Sequence, residues 1–212
     1  MAATETLHHI LGPQGTLELK HLRAEGPAKL LAVVCHPHPL HGGTMDNKVV
    51  YTLTRLLSGL GAEVVRFNFR GVGKSEGTFA EGIGEKDDLA AVTAWLRAQF
   101  PQFTSLWLAG FSFGAYVSAI SAVELGAQKL ISIAPAVTRF DFSQHPMPTC
   151  PWTIVMGDAD EVVDPQTVFD WAQSLPSNAK LIKMAGAGHF FHGRLVELRE
   201  RLEHELKVYG VS

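Results

Sequence analysis

Three residue types that together can make a serine nucleophilic lie far apart in this chain, each just beyond an apolar run. The first is Ser112, inside Gly110-Phe-Ser112-Phe-Gly114 and directly after Ser105-Leu-Trp-Leu-Ala109. A bare G-x-S-x-G says little. Between a strand and a helix it reads as a nucleophile elbow, which thrusts the serine out of a sheet's edge on a strained backbone. The two glycines then leave room where side chains would collide. A serine hydroxyl is a weak nucleophile at neutral pH, so it needs a neighbouring base, and that base needs an orienting acid.

Both follow in the chain order Ser, Asp, His. The apolar run 153–156 ends at Gly157, and three carboxylates crowd the loop beyond it. Asp158, next to the glycine, is expected to bond nearby backbone amides in a turn. Asp164 precedes Pro165 and a helical stretch, so capping suits it. Asp160 lies between them and is the expected acid, free to reach a histidine. The expected base is His189, after the strand ending near Met184 and in a glycine-rich loop; imidazole titrates near the working pH. His192 is its rival, placed at the start of the last helix.

These residues resemble the α/β-hydrolase superfamily, and most of all its small, lidless members related to dienelactone hydrolases. The resemblance runs from about Leu30 to the C-terminal helix. Arg66-Phe-Asn-Phe-Arg70-Gly71-Val-Gly73-Lys-Ser75 is similar to the family's R-G-x-G-x-S loop, and His36-Pro-His-Pro-Leu-His41-Gly42-Gly43 stands where the family places its oxyanion loop. The resemblance implies Ser112 as nucleophile, Asp160 as orienting acid and His189 as general base. One oxyanion donor is expected to be the amide of Phe113. Pro37 and Pro39 have no N–H to give, which leaves His38 first, then Leu40, with His41 and Gly42 further along. Arg70 is expected to anchor its loop through hydrogen bonds.

The elements that must hold these residues alternate. Strands are expected at 5–11 and 15–23 as an opening hairpin, then at 30–34, 62–68, 105–109, 129–134, 153–156 and 179–184. Helices are expected from about Met45 or Lys48 to Leu60, at 84–100, 115–124 and 166–175, and after the histidine loop. That alternation predicts an α/β fold: a mostly parallel, doubly wound sheet with helices on both faces and an antiparallel N-terminal edge hairpin, in one domain spanning 1–212. Residues 135–150 are too few for a lid domain. The site should therefore be open and suited to small ester, thioester or lactone substrates, cleaved through an acyl-enzyme by a carboxylesterase-type serine hydrolase. Phe111, Phe113, Phe140, Phe142, Phe190 and Phe191 flank the catalytic segments and divide between acyl pocket and core.

Composition fits such an enzyme. The 212 residues are 46% hydrophobic with a formal net charge of −3, enough for one large core and with no basic cluster, so neither nucleic acid nor an anionic membrane is an expected partner. The N-terminus lacks a signal-peptide pattern. Cys35 and Cys150 stand outside C-x-x-C spacing, one a buried filler and one in a proline-rich loop, which agrees with a reducing cytoplasm. No cofactor or metal is expected. Gly73-Lys74-Ser75 evokes a phosphate loop, but Asn68 stands where the first glycine belongs. His36-x-His38-x-x-His41 resembles the zinc motif of metallo-β-lactamase-like hydrolases, yet Leu40 replaces the aspartate. A zinc-dependent hydrolase using those histidines, and a non-catalytic hydrolase-like binding module, are the two alternatives.

Overall fold

Residues 4–208 are described in a computed structural model. The described residues form an eight-stranded sheet: β1 (Glu5–Gly12), β2 (Gly15–Leu22), β3 (Leu30–Cys35), β4 (Ala62–Phe67), β5 (Leu106–Phe111), β6 (Lys129–Ile133), β7 (Trp152–Gly157) and β8 (Ala179–Met184), in the order β1-β2-β4-β3-β5-β6-β7-β8. β1 pairs antiparallel with β2, and β2 antiparallel with β4. The pairings from β4 across to β8 are parallel. The expected edge hairpin is present, with Glu5 opposite Leu22 and Gly12 opposite Gly15.

The burial of each strand follows its place in the sheet. β3, β4, β5, β6 and β7 are buried along their whole length, as strands covered on both faces must be, whereas edge strand β1 alternates between exposed and half-buried. Two cores result. On one face Val34 and Val64 pack with Leu53 of α1 (Lys48–Gly59) and Leu202 of α5 (Leu195–Val208). On the other, Val33 and Phe67 pack with Val92 of α2 (Ile83–Gln99) and Val117 of α3 (Phe113–Ser121). The fifth helix, α4 (Pro165–Ser174), lies against β7 and β8.

Several boundaries differ from the sequence expectation for identifiable reasons. α1 begins at Lys48 rather than Met45, because the Asn47 side chain accepts the amides of Val49 and Val50 and fixes the start. α3 begins at Phe113 and not Ala115, so Gly114 lies inside the helix. α5 begins at Leu195, three residues beyond His192, which therefore does not start the helix; it is an exposed turn residue beside Phe190. Between β6 and β7 a single 3-10 turn, Phe142–Gln144, replaces any lid.

The chain proceeds from β3 to β4 in one direction and resumes at β5 on the other side of β3. At such a switch point the loops leaving neighbouring strands diverge and open a crevice at their carboxyl ends. The loops after β3 and β5 border that crevice, and they carry His38 and Ser112.

Candidate active site

The turn from β5 into α3 is built around Ser112, whose φ of 54° and ψ of −112° lie where few side-chain-bearing residues are found. Two constraints hold it there. The Ser112 amide donates to the carbonyl of Ile133 at 2.8 Å. The flanking glycines cannot be replaced: a Cβ on Gly110 would lie 2.1 Å from the Gly114 carbonyl oxygen, and one on Gly114 would lie 2.3 Å from that of Cys35. The first turn of α3 thus sits directly on the end of β3.

Beyond β7, Asp160 is buried and accepts from three groups. Its Oδ2 lies 2.7 Å from Nδ1 of His189, and its Oδ1 accepts the amides of Val162 and Val163, each at 2.8 Å. The competing carboxylates are occupied elsewhere. Asp164 caps α4 through the amide of Thr167 at 2.9 Å, and the Thr167 hydroxyl and amide hold its carboxyl below the usual range. Asp158 does accept a backbone amide, but that of Gly186, 28 residues on, at 2.6 Å. Its role is to tie the acid loop to the histidine loop rather than to close a local turn.

His189 is 2% exposed and wedged between Phe111, ring centroids 5.0 Å apart, and the perpendicular ring of Phe190 at 5.1 Å. Its amide donates to Glu161 Oε2 at 3.1 Å. Ser112 and His189 line one cleft, of about 80 Å³, together with His38, Phe113, Phe140, Val162 and Phe190. No hydrogen bond joins Ser112 Oγ to the imidazole among the described residues; such bonds often tighten only when substrate is bound. Of the six phenylalanines, Phe113, Phe140 and Phe190 line the cleft, while Phe111, Phe142 and Phe191 are buried in the cores.

The loop after β3 sorts its own amides. That of Leu40 donates to His38 Nδ1 at 3.2 Å, and that of His41 to the His38 carbonyl at 3.1 Å. The amides of His38 and Phe113 have no acceptor among the described residues, and both residues border the cleft.

His36 has both ring nitrogens committed to the backbone: Nδ1 donates to the Pro37 carbonyl at 2.6 Å and Nε2 accepts the Phe69 amide at 3.0 Å. Neither is left for a zinc ion, and no group of three or more His, Cys, Asp or Glu converges as ligands among the described residues. The His38 and His41 rings stack face to face, centroids 4.4 Å apart, instead of converging on a point. Burial lowers His36 to about 4. An unfolded histidine titrates near 6.5, so as pH falls from 6.5 towards 4 the unfolded chain takes up a proton that the native state refuses. Stability should be complete above pH 6.5 and fall by about 3 kcal/mol over that window. Thermal melts at pH 7 and pH 4.5 should register the loss, and His36→Gln, though less stable throughout, should show a shallower pH slope. Equal slopes in the two proteins would contradict this assignment.

Three acids that hold the site's frame, Asp88, Glu18 and Glu161, escaped the sequence reasoning. Arg70 does anchor its loop, through Nη2 to Asp88 Oδ1 at 2.7 Å and Nε to both oxygens; Asp88 also accepts the Arg70 amide. An acid on the apolar stripe of α2, one residue before Leu89, was the available signal. The Gly73-Lys74-Ser75 turn is likewise filled from within, Glu18 Oε2 accepting the Lys74 amide at 3.1 Å, so no phosphate cradle stands open there. Glu161 had no sequence signal beyond adjacency to Asp160.

Comparison with known proteins agrees with this architecture. The model of the X-Pro dipeptidyl-peptidase (S15) family matches residues 27–149, a stretch that includes the Ser112 elbow but ends before Asp160 and His189. A solved α/β serine hydrolase without a lid from Xanthomonas campestris is 47% identical, covering 98% of this chain and 96% of that one, with a TM-score of 0.92. An α/β serine hydrolase homologue from Coxiella burnetii is 48% identical over 97% of this chain and 98% of that one, with a TM-score of 0.90. An uncharacterized protein of Rickettsia prowazekii is 36% identical over 92% of this chain and 86% of its own length. No helix among the described residues is long and apolar enough to cross a membrane. The chain is a hydrolase-fold protein that belongs to the S15 family within the α/β-hydrolase superfamily.

Proposed function

We propose that the whole chain works as one serine hydrolase domain of carboxylesterase type, cleaving small ester, thioester or lactone substrates through Ser112, His189 and Asp160. The observation that carries this reading is the buried Asp160–His189 contact of 2.7 Å bordering the same cleft as a strained Ser112. In this reading Ser112 Oγ attacks the carbonyl carbon while His189 Nε2 takes its proton. Asp160 fixes the Nδ1–H tautomer and stabilises the imidazolium without taking the proton itself. The uncommitted amides of Phe113 and His38 receive the oxyanion, and losing one such donor typically costs a factor of about 10²–10³. His189 then protonates the leaving group, and water reverses the sequence to free the acid. Two unbridged cysteines agree with a cytoplasmic setting.

The family match raises a second reading, release of X-Pro dipeptides. A dipeptidyl-peptidase must recognise a free α-ammonium, which calls for a carboxylate in the cleft. The residues lining this cleft include none, and that favours the ester reading. A panel of p-nitrophenyl esters tests it: acetate to butyrate should give higher kcat/KM than octanoate or longer, because no lid buries a long chain. A preference for dodecanoate would contradict the open site. Release of nitroaniline from Ala-Pro-p-nitroanilide that vanishes on acetylating the amino group would favour the peptidase.

A further inference from the structure

The cleft carries charge of one sign. Its lining contains Arg139 and no aspartate or glutamate. Arg139 is exposed on the 136–141 turn, where its backbone amide bonds to the Ala136 carbonyl at 3.1 Å. The neighbouring Asp141 forms no ion pair with it: that carboxylate accepts from the Ser143 amide at 2.9 Å, the Ser143 hydroxyl at 2.6 Å and the Gln144 amide group at 2.9 Å. Among the described residues no carboxylate pairs with Arg139. Its guanidinium instead donates through Nη1 to His41 Nδ1 at 3.4 Å, and the His41 ring is stacked on His38. These contacts leave most of the guanidinium's five donors uncommitted and keep them at the cleft's edge. His41 accepts from Arg139 and His38 accepts from Leu40, so both rings act here as acceptors and Arg139 supplies the positive charge. Burial, and after it the His41 ring and the Arg139 charge, push His38 below the ordinary histidine range.

We propose that Arg139 forms an anion-recognising lip of the cleft, so that the preferred substrates are small esters bearing a free carboxylate, that is, monoesters of dicarboxylic acids or acylated hydroxy acids. This rests on the serine-esterase reading above. One planar guanidinium presents a single two-pronged fork, which matches the two oxygens of a carboxylate. A phosphate dianion would call for more than one cation at the lip. Because Arg139 is exposed, the selectivity should be modest and should weaken with salt.

The test compares kcat/KM for two substrate pairs that differ by one charge. The p-nitrophenyl monoester of succinic acid is set against its methyl ester, and 3-acetoxybenzoate against methyl 3-acetoxybenzoate. The wild type should prefer the anion in at least one pair by about tenfold at low ionic strength, a preference that shrinks in 0.5 M sodium chloride, as the screening length falls to a few ångströms. Arg139→Gln should bring that ratio near unity and Arg139→Glu should invert it. Calorimetric titration with succinate reads the lip without turnover: the wild type should bind it and Arg139→Gln should bind it at least tenfold more weakly. Neutral preference in both pairs, or succinate binding indifferent to both substitutions, would overturn the proposal while leaving the esterase intact. Succinate binding that depends on Arg139 in a protein that cleaves no ester would instead overturn the esterase and keep the anion lip.

Discussion

Exchanging Asp160 for asparagine should lower kcat on a short-chain ester by about 10⁴ while the protein melts within about 1 kcal/mol of wild type. The structure separates the two effects. Asp160 Oδ1 accepts the Val162 and Val163 amides, and an asparagine oxygen can keep both bonds, so the loop should hold its shape. The other prong faces His189 Nδ1. There an amide NH₂ donates where the carboxylate accepted, which forces the proton onto Nε2 and leaves no lone pair to receive the proton of Ser112. KM should barely move, because the loss falls on the transition state and not on binding. Asp164→Ala should behave in the opposite way, costing about 1 kcal/mol of stability through the α4 cap and little activity. Kinetics and melts recorded on the same preparations decide between them. An inactive, well-folded Asp164→Asn beside an active Asp160→Asn would refute the acid assignment.

Ser112→Ala and His189→Ala should each lower kcat by about 10⁶, and the double variant should lose scarcely more than either alone. In the proposed mechanism the three groups act as one unit, so removing the second member of a broken unit should cost little. Stability is expected to change little in Ser112→Ala, since alanine meets the same strain at φ 54° that serine does. The remaining rate above water would come from the Phe113 and His38 amides, which neither substitution touches. Additive losses, with the double variant some 10⁶ below each single one, would mean that Ser112 and His189 work independently.

How much of this was legible in the sequence depends on how local each feature is. The expected bounds of β8 match the structure to the residue, and Ser112, Asp160 and His189 stand out as candidates because each follows an apolar run that ends in a recognisable turn. The two missed boundaries at the elbow share a cause. Gly114 argued against a helix by propensity, yet α3 includes it because its first turn rests on the carbonyl of Cys35, where a Cβ would not fit. β5 runs through Gly110 to Phe111 because that glycine must pass beneath the same turn. The features that stayed hidden join residues far apart in the chain: Asp88 beneath Arg70, Asp158 holding Gly186, Glu161 on the His189 amide, Arg139 beside His41. No periodicity marks such pairs, and only the register of the sheet and the packing of its loops brings them together. The triple histidine motif shows the converse. Its spacing suited zinc, but a buried backbone claimed His36 first.

The central claim is that Ser112 is a nucleophile activated by His189. Incubation with a fluorophosphonate, followed by peptide mass spectrometry, tests it most directly. The expected result is one phosphonyl adduct per chain on Ser112, complete loss of esterase activity in step with labelling, no adduct in Ser112→Ala, and activity unaffected by a chelator. An unlabelled Ser112 in a protein whose ester hydrolysis is abolished by chelator and restored by zinc would contradict it.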